Sequence, residues 1–342
     1  PNDRSGGVGQ RGIDKAKRPT AGLPELPTIL SANELVGLLN EFKFELLAPP
    51  GKLLNYSNEG FCLLGGVAEQ IMQRPYAELV RDMIFAPLQM DKSLIGVRRS
   101  QHSDAVALPL LREGSGYRTA TFWQAPLFYP AGGCISSARD IARLIGTLDE
   151  TAPLLGQASK QLLIHQHMSV ASRPDPGIGY GLGLEFQQIG SDTTLLWHSG
   201  QRAGVSSFMG WLVEEQLAIS VLCNVADAPV TGIAHELIGD VLNRTDISWP
   251  PAVLMNPAGT RDLETIVGHY ASAEGNRYRV EKNDAKLLLT GPAMPHAQQL
   301  LFSGPDSGTV GPQTFRFLST TPHAQPWALA LDLRVLRREG ES

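Results

Sequence analysis

Leu54-Asn55-Tyr56-Ser57-Asn58-Glu59-Gly60 is the stretch on which the reading of this chain turns. It sets a phenol, a hydroxyl and a carboxamide on a tight turn, with an apolar helix pattern directly behind them. Asn58 is placed to cap that helix, its side-chain oxygen accepting from N–H groups of the first turn. Phe61, Leu64, Val67, Ala68 and Ile71 recur at helical spacing and predict one core-facing stripe. The polar trio therefore sits at the N-terminal mouth of a packed helix, where polar groups are held rigidly. Taken alone, Tyr-x-Asn reads more readily as a capped loop than as a site, so the rest of the chain has to decide.

Upstream, residues 1–19 are rich in Gly, Arg and Lys, with Val8 and Ile13 as the large apolar residues. That composition predicts a flexible tail. Ser31-Ala32-Asn33-Glu34 reads as a capping box, followed by a stripe of Leu35, Leu38, Leu39 and Phe42. Downstream, Pro75 suits the first position of a helix carrying Leu79, Val80, Met83 and Ile84 towards Pro87. Residues 91–133 show little periodicity and end in Tyr129-Pro130-Ala131-Gly132-Gly133, which reads as a turn needing small residues and positive φ. Ser137 is placed to cap a helix with Asp140 at its third position and Ile141, Leu144, Ile145 and Leu148 on its face. His165 and His167 are two apart in a helical pattern, so they point to different faces and make a poor metal pair.

From Gly179 the period becomes that of strands. Tyr180–Gln187 alternates, Thr193–His198 follows, and Val205–Val213 with Gln216–Asn224 predicts a hairpin about Glu214-Glu215. A helix bearing Ile233, Leu237, Ile238, Val241 and Leu242 on one face comes next. Trp249-Pro250-Pro251 reads as a linker. Beyond it, Gly268–Tyr270, Tyr278–Glu281 and Lys286–Thr290 read as strands of a small all-β unit.

Composition bounds the function. The chain has 342 residues, 42% apolar and 18% charged, which is enough for two domains with real cores. A net charge of −5 argues against a nucleic-acid surface. No run of 18 apolar residues is present, so no membrane span is expected. Cys62, Cys134 and Cys223 lie far apart in apolar surroundings and read as reduced, unpaired, largely buried thiols. No cofactor or metal site is expected, and compartment and oligomeric state stay open.

The second chemical stretch is Trp197-His198-Ser199-Gly200-Gln201, at the end of a strand. Gly200 leaves room for a ligand against the strand backbone. His198 suits either proton transfer or a neutral hydrogen bond, and Ser199 adds a hydroxyl. As a tripeptide, His-Ser-Gly is also an ordinary turn.

Taken in order, these stretches are far more specific. Tyr56-Ser57-Asn58, Gly60-Phe61 with Leu63-Leu64-Gly65, and Phe85, Pro87, Leu88 and Met90 begin the series. Tyr129-Pro130-Ala131-Gly132-Gly133 with Ser136-Ser137-Ala138-Arg139-Asp140, Gly179-Tyr180-Gly181-Leu182-Gly183, His198-Ser199-Gly200 with Gly204-Val205-Ser206-Ser207, and Leu222-Cys223-Asn224 complete it. Together they resemble the serine β-lactamase and penicillin-binding protein superfamily, in its class C-like branch with esterase and D-amino-acid peptidase relatives. The resemblance covers roughly residues 20–245, beginning with a Ser-Gly-Leu-Pro-type segment at Thr20-Ala21-Gly22-Leu23-Pro24. Residues 260–342 resemble, more faintly, the lipocalin-like β-domain appended to many members. The resemblance implies an α/β (α+β) fold, an antiparallel sheet flanked by helices over 20–248, and a C-terminal β-domain over 255–342.

It also implies a mechanism. Members form an acyl-enzyme on the serine of a Ser-x-x-Lys motif, with the lysine and the Tyr-x-Asn tyrosine moving protons. By that resemblance Tyr56 and His198 are catalytic, and Asn58, Ser199, Gly200 and Gln201 bind substrate. His198-Ser199-Gly200 stands where many members have Lys-Thr-Gly, with the N–H of Gln201 completing an oxyanion hole. A histidine there removes a fixed cation for a penicillin carboxylate, which points towards esterase- or peptidase-type substrates, small molecules or peptides.

One departure is serious. No lysine in the chain has a serine three residues before it; Lys15, Lys17, Lys43 and Lys52 have Gly12, Asp14, Asn40 and Pro49 there. The family nucleophile lies farther upstream of its tyrosine than the 55 residues present here, so the expectation is a chain lacking its first strands, nucleophile helix and serine. Ser57 and Ser199 have no base placed beside them by the sequence. A non-catalytic protein that keeps only the cleft is the alternative.

Overall fold

The computed structural model describes residues 31–41, 46–96, 106–121, 125–165, 168–173, 177–245, 247, 263–272, 275–284, 286–292, 294, 296–321 and 324–340. The expected tail, the Thr20–Pro24 segment, Phe42, His167 and the Trp249–Pro251 linker lie outside these residues.

Six strands make the first sheet: β1 (Met168–Ser169), β2 (Ile178–Tyr180), β3 (Glu185–Ile189), β4 (Thr193–Arg202), β5 (Val205–Leu212) and β6 (Leu217–Cys223). They are antiparallel in the order β6-β5-β4-β3-β2-β1. The expected hairpin is β5–β6. The single strand expected over 180–187 is instead β2 and β3, separated by the Gly181–Leu184 turn, where Gly183 has φ +93°. Two glycines there supply the conformational freedom that breaks the alternation.

Strand periodicity sorts the side chains of β4 to two faces. Leu195 and Trp197 pack with Phe208, Leu212 and Ile219 beneath α5 (Val230–Leu242), which buries Val230, Ala234 and Ile238. Leu196 turns the other way, joining Trp211, Leu184 and Leu148 against Ile145 of α3 (Ala138–Ile145). The helices on both faces therefore hold β4 in register, and its far end is presented rigidly. Ser137 caps α3 as expected, its hydroxyl accepting from Asp140 N–H at 3.2 Å.

α1 (Ala32–Glu41) starts with the expected capping box: Ser31 N–H donates to Glu34 Oε2 at 3.3 Å and Glu34 N–H to Ser31 Oγ at 3.2 Å. α2 (Asn58–Met72) departs from expectation twice. Its cap is Ser57, whose hydroxyl accepts from Gly60 N–H at 3.0 Å, and Asn58 is the first helical residue. Its buried face is Asn58, Glu59, Cys62 and Gly65, whereas Leu64, Val67 and Ile71 are 62%, 53% and 73% exposed. The reason is close packing. A Cβ on Gly65 would sit 2.1 Å from Pro130 Cγ, and one on Gly66 would sit 2.3 Å from the Ala32 Cβ. The small-residue side permits that approach; the large residues are left outside. α5 likewise leaves Ile233, Leu237 and Val241 exposed.

Pro75 precedes its helix as N-cap rather than entering it, and Tyr76–Val80 runs into a wider π turn over Arg81–Phe85 that leaves Met83 exposed. Tyr129–Gly132 is one helical turn. What demands glycine there is space, since a Cβ on Gly133 would lie 2.6 Å from Tyr129 Cδ1. The loop-rich middle carries a hairpin, Leu110–Glu113 with Gly116–Thr119.

The C-terminal unit is one nine-stranded antiparallel sheet: β7 (Gly268–Ala271), β8 (Arg277–Asn283), β9 (Lys286–Thr290), β10 (Gln298–Gln299), β11 (Leu301–Phe302), β12 (Ser307–Val310), β13 (Gln313–Leu318), β14 (Ala328–Leu331) and β15 (Arg334–Arg338). The order β10-β9-β8-β7-β15-β14-β13-β12-β11 brings its two edges to consecutive residues about Leu300, so it is nearly a closed barrel. Its interior is filled by Tyr270, Val280, Leu289, Phe315, Phe317 and Leu329, each at most 1% exposed. The barrel docks on the first unit through Ala328, Ala330 and Val335, which pack with Leu47, Leu53 and Ala171.

Candidate active site

Tyr56 enters α2 immediately before the Ser57 cap, and His198 lies near the end of β4. Although 142 residues separate them, their rings meet with centroids 6.0 Å apart, tilted by 40°. Two residues that the sequence nominated separately thus face one another. Tyr180, at the end of β2, closes the third side, edge-on to Tyr56 at 6.3 Å. Its hydroxyl is buried and has no hydrogen-bond partner among the described residues.

The strand register explains why β4 can receive a ligand here. β3 pairs with β4 only from Thr193 to Trp197. Beyond that point, His198, Ser199, Gly200 and Gln201 pair with Met209, Phe208, Ser207 and Ser206 of β5 on one side only. Their other edge carries no strand partner among the described residues. Gly200 and Gln201 are exposed, so backbone groups of that edge are available to an extended substrate. Asn58 is 8% exposed, in the first turn of α2.

The electrostatics follow from burial. Burial raises the Tyr56 phenol above its ordinary value; Glu185 and Glu59 push the same way, while Arg334 and Arg202 pull it down. Burial also lowers His198, against a backbone hydrogen bond at Ser199, so its imidazole is neutral near pH 7. Glu185 is pushed up to about 8 by burial and by Asp332, with Arg173 opposing. The cleft thus holds a protonated phenol, a neutral imidazole and a carboxyl raised to about 8.

Sequence reasoning missed four groups around Tyr56. Tyr180 lay in a quoted glycine motif, and Glu185 was a lone carboxylate in a strand. Arg202 ends β4, and Arg334 comes from the barrel, its guanidinium carbon 5.6 Å from the Tyr56 ring centroid. Nothing near Glu185, which opens a strand reading Glu-Phe-Gln-Gln-Ile, or near Arg334 in sequence points to Tyr56.

Two other features limit the chemistry. Lys160, in α4 (Gln157–Ile164), is 2% exposed and donates to the carbonyls of Asp149, Glu150 and Ala152, which occupies all three of its N–H donors. Its role is to tie those three carbonyls together. The cysteines are free, with Cys62 buried, Cys223 intermediate and Cys134 exposed, so the expectation that all three are largely buried fails at Cys134. Among the described residues no cluster of His, Cys, Asp or Glu is arranged to hold a metal ion, and no helix is long and apolar enough to cross a membrane.

A Beta-lactamase family model matches residues 20–243. The chain belongs to the beta-lactamase family. Within this family, it is 25% identical over 192 residues to a D-aminopeptidase of Gluconobacter oxydans (strain 621H), covering 55% of this chain and 34% of that protein. The chain therefore spans about a third of the length of this relative. Among solved structures, SurE superposes with TM-score 0.69 at 21% identity, over 90% of this chain and 73% of that one. The octameric penicillin-binding protein homologue from Pyrococcus abyssi gives 0.61 at 20% identity, over 97% and 73%. A D-amino acid amidase from Ochrobactrum anthropi SV3 gives 0.50 at 23%, over 71% and 75%. At these identities the likeness to solved structures concerns the fold, and in the first two it covers nine-tenths or more of this chain.

Proposed function

We propose that this chain carries most of an acyl-transfer site that hydrolyses amide or ester bonds, in small substrates or peptides containing D-amino acids. The observation that carries the reading is the meeting of Tyr56 and His198 at 6.0 Å beside the one-sided edge of β4. In this reading Tyr56 moves protons, Asn58 holds the substrate amide, and the His198–Gln201 edge pairs with substrate backbone while Gln201 N–H receives the oxyanion. His198 is neutral, so a substrate carboxylate finds no fixed cation at that position. The family and the D-aminopeptidase relative support the substrate class.

The nucleophile is proposed to come from a Ser-x-x-Lys segment upstream of Pro1, the catalytic domain over 20–248 being truncated and the 255–342 unit appended. Support comes from the missing motif, from the exposed apolar stripes of α2 and α5, and from the edge position of β6. Those are surfaces that a further strand and helix would cover. The same missing motif favours a second reading, a non-catalytic protein that retains the cleft.

The test is intact-mass spectrometry after exposure to a fluorophosphonate and to a labelled penicillin. The chain as it stands is expected to remain unlabelled, and a version extended upstream through a Ser-x-x-Lys to be labelled stoichiometrically. Labelling of any serine in the present chain would refute the proposed origin of the nucleophile. An extended version that stays inert would favour the non-catalytic reading.

A further inference from the structure

We propose that Arg334, supplied by the C-terminal barrel, is a positioning residue for Tyr56, so that the barrel completes the site of the first unit. The proposal rests on the reading of Tyr56 as the proton-moving group.

Arg334 opens β15, and both of its chain neighbours are fastened to the residues that carry the phenol. Tyr56 N–H donates to the Leu333 carbonyl at 2.9 Å, and Val335 N–H donates to Asn55 Oδ1 at 2.9 Å. Between those two bonds the Arg334 backbone is held beside Tyr56. Its guanidinium carbon lies over the Tyr56 ring, 5.6 Å from the centroid, within the range of a cation–π contact. The turn before it is fixed in turn. The Asp332 carboxylate accepts from Thr314 N–H at 2.9 Å and Gln313 Nε2 at 2.8 Å, and its carbonyl accepts from Ser172 Oγ at 2.7 Å. Asp332 also has φ +48°, a backbone conformation that needs such support.

Other groups face the phenol. Arg202 adds positive charge from β4 and Glu59 negative charge from α2, while Glu185 of β3 adds negative charge only above about pH 8; Tyr180 and His198 are uncharged near neutrality. Of the charged groups Arg334 acts most strongly on Tyr56, and it opposes the effect of burial. A cation held on the ring face favours the phenolate when the proton leaves and restricts rotation of the ring. In a site whose strand-end residue is a neutral histidine, that cation arrives from another part of the chain.

The experiment is a ¹³C NMR titration of tyrosine Cζ resonances in the chain as it exists, with Tyr56→Phe assigning the signal. In Arg334→Met, the phenolate fraction of Tyr56 at a matched alkaline pH below its midpoint is expected to fall by about threefold to tenfold. Arg334→Lys is expected to restore most of it, and the other tyrosines to titrate unchanged. Should the Met variant fail to fold by near-ultraviolet circular dichroism, Arg334→Gln is read in its place. A folded charge-removing variant in which Tyr56 titrates as in the parent overturns the proposal. No turnover enters this measurement, so an inert extended protein would sink the hydrolase reading while leaving the Arg334–Tyr56 coupling to stand or fall alone.

Discussion

The backbone N–H of Tyr56 donates to the carbonyl of Leu333 at 2.9 Å, across 277 positions of the chain. The residue that begins the candidate site is thereby tied to a turn of the C-terminal barrel. The neighbouring bond, Val335 N–H to Asn55 Oδ1, makes the link two-pronged. A barrel attached this way is part of the wall of the cleft.

Asn55→Ala tests that attachment. It leaves Val335 N–H, which is part-buried, without its acceptor, at a cost of about 1–3 kcal/mol. The expected result is a lower denaturation midpoint and faster limited proteolysis between the two units. An unchanged midpoint and cleavage rate would mean that the bond contributes nothing to docking.

Ser57→Ala removes the cap of α2. Since Gly60 N–H loses its acceptor, a loss of about 1 kcal/mol is expected, with Ser57→Asp recovering most of it. By contrast, Asn58→Ala is not expected to show the capping signature, because Asn58 lies inside the helix. Urea denaturation of the three variants separates these outcomes. A cap loss on Asn58→Ala and none on Ser57→Ala would reverse the assignment.

The buried carboxyls set a pH dependence. Glu185 is raised to about 8 and Asp332 is raised as well, so the folded state holds protons that the unfolded chain has already released. Stability from these groups is fully present below the ordinary carboxylate range and is lost as pH rises through their folded values. His198 and His235 are lowered by burial and act oppositely, but only below their ordinary value of 6.5. Between about pH 6.5 and 8 the carboxyls therefore win, and stability is expected to fall with rising pH. Glu185→Gln should flatten that slope. Chemical denaturation at several pH values checks it, and a slope that persists unchanged in the variant would assign it elsewhere.

The outward face of α2 gives a fourth outcome. Leu64→Glu with Ile71→Glu is expected to change the stability of this chain by less than about 1 kcal/mol and to improve its solubility. Core positions would cost several times more. In a version extended upstream the same pair is expected to be strongly destabilising, because the added segment would cover that face. Denaturation midpoints of both proteins decide it.

Much of this protein was legible in sequence wherever the signal is local. The Ser31 box and the Ser137 cap announce their helices because a cap is made within three residues. The β5–β6 hairpin follows from two alternating runs about Glu214-Glu215. Tyr56 and His198 stood out by residue type at element ends, and the ordered motifs placed them in the beta-lactamase family. Periodicity also revealed that α2 and α5 each have an apolar stripe. It did not reveal which face meets the core, because that depends on what lies opposite. Gly65 against Pro130, and Gly66 against Ala32, turned the small side of α2 inward and left Leu64 and Ile71 outside. Only the tertiary structure brought Glu185, Tyr180 and Arg334 to the phenol, since strand pairing and barrel docking bring together residues distant in sequence. A neutral histidine in the strand motif is written in the sequence; the arginine over the tyrosine is there because the barrel packs where it does.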